Sequence, residues 1–207
     1  MALNWTIHPD AASMAAALAG ALAKALTARL CMPGRAALAL AGGRTAPPVC
    51  RALAARPLPW SRVSVLPTDE RWVAESHADS NLRVLRECFA AAPAELRALV
   101  PDAPGPTPSA DAANAALADL PRFAAVLLGM GADGHFASLF PGDPGLGPHP
   151  RISLTLARLL DSDRLLLAIS GADKRAVVEQ ALAEPARFPV GALLTQTLCP
   201  VEIHWSP

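Results

Sequence analysis

Four stretches of this chain set glycines beside charged or hydroxyl side chains, and each directly follows a short apolar run. Residues 36–41 lead into Gly42-Gly43-Arg44-Thr45. Residues 62–66 lead into Pro67-Thr68-Asp69-Glu70-Arg71. Residues 123–128 lead into Gly129-Met130-Gly131-Ala132-Asp133-Gly134-His135, and residues 164–169 into Ser170-Gly171-Ala172-Asp173-Lys174. Glycine lets backbone amides approach an anion, guanidinium and ammonium groups pair with phosphate or carboxylate, and an imidazole, titrating at about 6.5, exchanges protons near neutrality. These types suit acid–base chemistry on a small anionic ligand. Among the five histidines, His135 is set apart from His8, His77, His149 and His204 by its place beside Asp133 in a glycine-rich turn.

The elements that would carry these clusters alternate along the chain. Strands are expected at residues 3–8, 36–41, 62–66, 123–128, 152–156, 164–169 and 201–205. Helices are expected at about 11–30, 46–56, 80–90 and 172–183. That order predicts an α/β domain with a largely parallel sheet. In such a sheet the carboxyl ends of the strands share one edge, where ligands bind, so the four clusters should converge. The proline-rich stretch 101–108 reads as a surface loop. Cutting there would split one sheet, so residues 1–207 read as one domain.

Composition narrows the class. Lys plus Arg and Asp plus Glu both number 18, a formal net charge of zero, which argues against a nucleic-acid or anionic-membrane binder. With 52% apolar and 17% charged residues the chain is not a disordered one. The uninterrupted apolar run 14–23 is half a membrane span, and no basic residue precedes it as in a secretory signal. The four cysteines lack the close spacing of a zinc or redox motif and read as mostly buried thiols, so a cytoplasmic setting is expected.

Each candidate also has a purely structural reading. Thr45 fits a helix N-cap, with Pro47 in the first turn. Arg44 and Lys174 oppose the dipoles of the helices they begin, a conflict an anionic ligand would remove, yet either could be a solvated cation. Asp133 fits equally the cap of a short helix ended by Pro141-Gly142 and a helper of His135. Gly129-x-Gly131-x-x-Gly134 matches a dinucleotide fingerprint in letters, but a helix cut short there excludes that reading. Arg71 follows a strand and could hold a phosphate or carboxylate. Asp79-Ser80-Asn81 reads as a helix cap. Arg151 precedes a strand, so convergence does not reach it.

At these residues the chain resembles the 6-phosphogluconolactonase family. LALAGGRTAP is similar to that family's Gly-Gly-(Arg or Ser)-Thr-Pro loop, and TDERWV with DSN to its Asp-Glu-Arg and Ser-Asn elements. LLGMGADGHFASLFPG resembles its most specific motif, and RISLTL and SGADKR its last two blocks. Two positions depart: Ala46 intervenes before Pro47, and Phe136 stands where a small residue is common.

The resemblance implies a Rossmann-like fold and hydrolysis of 6-phospho-D-glucono-1,5-lactone, with no cofactor and no metal. It implies His135 as acid/base group and Asp133 as its companion. Gly42, Gly43, Arg44 and Thr45 would line the substrate, and Arg71, Arg151 and Lys174 would hold anionic oxygens. The partner expected is the phosphosugar lactone alone, without nucleic acid or membrane, in a monomer or weak homo-oligomer. Two alternatives share this fold. A glucosamine-6-phosphate deaminase would carry Asn-Glu-Pro where Ser138-Leu139-Phe140-Pro141 stands, and a non-catalytic sugar-phosphate sensor would carry a DNA-binding helix-turn-helix.

Overall fold

All five residues of Ala36–Leu40 are buried, which requires cover on both faces. Ala36, Leu38 and Leu40 point into one apolar cluster and Ala37 and Ala39 into another. In the computed structural model, which describes residues 4–141 and 148–207, this strand, β2, sits inside a seven-stranded sheet with helices on both sides. In chain order the elements are β1 (Asn4–Ile7), α1 (Ala11–Leu30), β2, α2 (Ala46–Ala54), β3 (Val63–Pro67), β4 (Asp69–Arg71), α3 (Asn81–Cys88) and β5 (Glu95–Leu96). There follow α4 (Ala110–Leu117), β6 (Phe123–Leu128), β7 (Arg151–Ser153), α5 (Leu156–Leu160), β8 (Leu165–Ser170), α6 (Ala172–Ala183), α7 (Pro189–Thr195) and β9 (Val201–Ser206).

The sheet order is β1-β9-β8-β6-β2-β3-β5, and every pairing in it is parallel. From β2 the chain runs outward through β3 and β5, then returns to place β6 on the other side of β2. The connections therefore leave in opposite directions at the β2–β6 boundary, which opens a crevice at the carboxyl ends of those two strands. β4 and β7 stand apart as an antiparallel two-stranded ribbon.

Helix α1 starts on Asp10, whose side chain accepts a bond from Ser13 N–H at 2.6 Å. Its length and hydropathy would suffice to cross a membrane. Here its Met14, Leu18, Leu22 and Leu26 stripe is fully buried in the core formed with α2 and the sheet. The i, i+4 spacing explains the seam, and truncating any one of these leucines to alanine would cost about 2–5 kcal/mol.

Several boundaries differ from the sequence expectation. Residues 152–156 are not one strand: β7 ends at Ser153, and Thr155 caps α5 by accepting from Arg158 N–H at 3.2 Å. β7 also pairs outside the main sheet. Helices α4, α5 and α7, and strands β4 and β5, have no counterpart in the sequence expectation. Among described residues 131–141 no helix begins, so Asp133 caps none there; residues 131–140 form turns with one isolated bridge between Phe136 and Leu139. Gly142, expected to end that helix, and residue 3 of the first strand lie outside the described residues.

Candidate active site

The carboxyl edge of the sheet carries a cleft of about 210 Å³ at the β2–β6 boundary. Gly42, Gly43, Arg44, Thr45, Arg71, His135, Arg151 and Lys174 all line it. Asp133 stands just behind, bonded to His135. The clusters predicted from sequence do meet, and Arg151 joins them by a route that strand-end convergence could not supply. It enters through the β4–β7 ribbon, directly opposite Arg71.

His135 is fixed by its companion. Asp133 Oδ1 lies 2.5 Å from His135 Nδ1 and accepts from the His135 backbone N–H at 3.2 Å. Desolvation raises the Asp133 carboxyl, but the bonds from His135 and its charge outweigh this and hold it below its ordinary value. An ionised partner at Nδ1 selects the tautomer with that nitrogen protonated, leaving Nε2 with the lone pair that can take a proton. Phe140 packs against the ring with centroids 4.4 Å apart. Gly131 makes the position possible, since a Cβ there would overlap the imidazole. Phe136 is 2% exposed; it packs in the core and lines the floor of the cleft.

The Gly42–Thr45 loop opens α2. Gly43 has φ +81°, a left-handed conformation that favours glycine. Thr45 occupies the N-cap position, but its side chain makes no capping bond. Ala46 takes the first helical position and moves Pro47 to the second, where a missing N–H is still tolerated. Lys174 lies in the first turn of α6. Burial, and then the charge of Arg44, hold its ammonium below the ordinary value. Two helix amino termini and two cations thus face one space, the arrangement of an anion site.

The ribbon supplies two further cations. Burial first, then the charge of Arg71, lower the pKa of Arg151. The Nε groups of both arginines are buried and meet no acceptor among the described residues. Buried donors without partners are rare in proteins, and here both belong to residues lining the cleft.

Residues to which the sequence assigned no role in the site hold this ribbon. Asn81, read as part of a cap, lines the cleft. Its Oδ1 accepts from Arg71 Nη1 at 3.1 Å and its Nδ2 donates to the Asp69 carbonyl at 2.7 Å. The true cap of α3 is Ser80, which accepts from Arg83 N–H at 3.2 Å. Asp69 is 6% exposed, accepts from Ser138 Oγ at 2.6 Å and lies 3.7 Å from Arg151 Nη1. Glu70, buried below, accepts from the backbone amides of Arg71, Asn81 and Leu82 at 2.7–2.9 Å, which ties β4 to the amino terminus of α3. The distance between residues 69, 81 and 138 in sequence concealed this group.

A parallel α/β sheet with a cationic cleft at its switch point, and one carboxylate-held histidine inside it, defines a protein that acts on small phosphorylated metabolites. A family model described as glucosamine-6-phosphate isomerases/6-phosphogluconolactonase matches residues 9–205. A 6-phosphogluconolactonase of Pseudomonas aeruginosa is 40% identical over 96% of this chain and 92% of its own length. One from Mesorhizobium japonicum is 37% identical over 99% of this chain and 95% of its own. The crystal structure of a 6-phosphogluconolactonase from Shewanella baltica superposes with a TM-score of 0.93 at 30% identity, covering 100% of this chain and 98% of that one. The chain belongs to the glucosamine-6-phosphate isomerase/6-phosphogluconolactonase family.

Proposed function

We propose that this protein hydrolyses 6-phospho-D-glucono-1,5-lactone to 6-phospho-D-gluconate, the oxidative-branch step of the pentose phosphate pathway, in the cytoplasm. The observation that carries the reading is the Asp133–His135 pair at 2.5 Å, set in a cleft that also holds Arg44, Arg71, Arg151 and Lys174. Full-length similarity to proteins of that name supports the substrate.

The 6-phosphate, carrying roughly two negative charges near neutrality, seats against Lys174 and the amino termini of α2 and α6, with Arg151 reaching it from the ribbon. The lactone ring then lies over Gly42-Gly43 towards His135. His135 Nε2 takes a proton from a water molecule as it adds to the ring carbonyl. The negative charge that develops on that oxygen is met by the amides of the Gly42-Gly43 loop, while Arg71 joins Arg151 in holding the phosphate. Breaking the bond from carbon to the ring oxygen releases an alkoxide, and the imidazolium returns the proton to it. Asp133 stabilises the imidazolium between the two transfers. The Ser-Leu-Phe-Pro stretch favours the lactonase over the deaminase: Ser138 braces Asp69 and Phe140 packs on His135, so both side chains serve this cleft.

The deciding experiment is a progress curve on freshly generated lactone, corrected for spontaneous hydrolysis. His135→Asn should lower kcat by about 10²–10⁴ with little change in KM, and Lys174→Ala should mainly raise KM. Full turnover by the His135 variant would remove that residue from the chemistry. Ammonia release from glucosamine 6-phosphate would move the activity to the other branch of the family.

A further inference from the structure

On the solvent rim above the ribbon, three ligating side chains meet that the cleft chemistry does not use. His77 and Asp79 lie in the turn between β4 and α3, and His149 lies just before β7. One donor atom from each falls within 4.8 Å of the others. His149 Nε2 is 3.3 Å from Asp79 Oδ2, and the rings of His77 and His149 meet edge to face with centroids 4.9 Å apart.

We infer that His77, Asp79 and His149 form a binding site for one divalent transition-metal ion of the zinc class, completed by water.

The geometry is close to that required. A tetrahedral ion with bonds of about 2.0–2.1 Å holds its donor atoms about 3.3–3.4 Å apart, and the His149–Asp79 pair already stands at that spacing. The third donor, on His77, lies within 4.8 Å of the other two. His77 Nδ1 accepts from the Asp79 backbone N–H at 3.1 Å, so it is the nitrogen that bears the lone pair. Turning it to the ion exchanges that one weak bond for coordination. Two imidazoles with a single carboxylate suit Zn²⁺, Ni²⁺ or Cu²⁺ rather than Mg²⁺ or Ca²⁺, which take sets of oxygen donors.

Both segments are anchored without an ion. The Asp79 carbonyl accepts from Arg71 Nη1 at 2.7 Å, Ser80 N–H donates to the His77 carbonyl at 3.1 Å, and Trp72 N–H donates to the Pro150 carbonyl at 2.7 Å. His77 and Asp79 are exposed and His149 half-buried, so an ion and its water can enter from solvent. A bound ion would brace the turn that steadies Arg71 against the residues leading to Arg151.

The test needs tag-free protein stripped with a chelator. Calorimetric titration with ZnCl₂ should give one Zn²⁺ per chain, with a saturating rise in Tm and no comparable rise from MgCl₂. Co²⁺ should give visible absorption of low-symmetry, four-coordinate type. His149→Ala and Asp79→Asn should each weaken Zn²⁺ binding by roughly tenfold or more, and His135→Asn should not. Absence of a saturable Zn²⁺ site would overturn the inference. So would binding that disappears in His135→Asn and survives in His149→Ala, because the ion would then sit on the Asp133–His135 pair. None of these readouts involves the lactone, so the outcome is independent of the proposed reaction.

Discussion

Arg71 and Arg151 stand directly opposite each other across the β4–β7 ribbon, and both face the cleft. Among the described residues the one ion pair either makes is Arg151 with Asp69, at 3.7 Å. Like charges at opposed positions of an antiparallel pair destabilise it, typically by 0.2–1 kcal/mol, so the free protein carries a repulsion that an anion between the two would relieve. Arg151→Gln should therefore leave unliganded stability within about 1 kcal/mol of the parent in urea denaturation. The same change should raise KM for the lactone about 10–100-fold, the worth of one charge-assisted hydrogen bond. Inorganic phosphate should raise the Tm of the parent more than that of the variant. An equal phosphate response in both proteins would mean that the arginine pair does not hold the anion.

The Asp133 carboxylate makes a second, separable contribution. Asp133→Asn keeps a hydrogen-bonding group beside His135 Nδ1 but removes the charge that stabilises the imidazolium and the preference for the Nδ1-protonated tautomer. The expected result is a fall in kcat of at least tenfold with KM nearly unchanged, because the interaction strengthens as the histidine gains its proton. A pure rise in KM would instead make Asp133 a shaping residue of the substrate pocket.

Acid stability should depend on a pair far from the cleft. His8 Nε2 and His204 Nδ1 lie 2.9 Å apart in the buried contact between β1 and β9, and His204 Nε2 has no partner among the described residues. Burial, and then the nearby His8, push His204 down to about 4. The unfolded chain therefore binds a proton at His204 near pH 6.5 that the folded chain refuses until about pH 4. Stability from this group is intact above pH 6.5 and is lost as pH falls towards 4, by on the order of 2–3 kcal/mol. Glu70 acts in the opposite sense, since burial raises its pKa despite its amide bonds. Its effect cancels when the parent is compared with His204→Leu. Urea melts at pH 7.5 and 5.0 should show the parent losing more stability on acidification than the variant, and equal losses would discount the histidine pair.

What could be read from the residues follows the range of each physical signal. The buried strands β2, β6 and β8 are short apolar runs ended by glycine, a local pattern, and they fixed the sheet and the edge on which Gly43, His135 and Lys174 meet. Gly131 and Gly134 were visible as turn formers, but not as the reason the imidazole fits. Arg151 was reached only through resemblance, because an antiparallel pairing between residues 69–71 and 151–153 is a non-local contact with no periodic signature. Asn81 was hidden for a related cause: Ser80, the residue before it, satisfies the helix cap and absorbs the local explanation. The helix expected after His135 failed because Asp133 bonds the backbone N–H and ring of His135, stabilising a turn in place of a first helical turn.

That turn also makes the sharpest prediction about geometry. A Cβ on Gly131 would overlap the His135 ring and Asp133 Oδ1, while the Gly131 N–H donates to the His135 carbonyl at 2.9 Å. In Gly131→Ala the backbone bond resists movement of the loop, so the imidazole is the part that yields. Displacing a catalytic group by about 1 Å costs about 10² in rate, so kcat should fall by that factor or more. KM should change little, because Lys174, Arg71 and Arg151 sit on other elements and keep their places. Gly42→Ala gives the converse. Its Cβ would overlap the Asn81 amide that steadies Arg71, so the loss should appear chiefly in KM. Kinetics of the two alanine variants side by side check the assignment. If both lose kcat and KM in the same proportion, the division between an imidazole that moves protons and arginines that hold the anion is wrong.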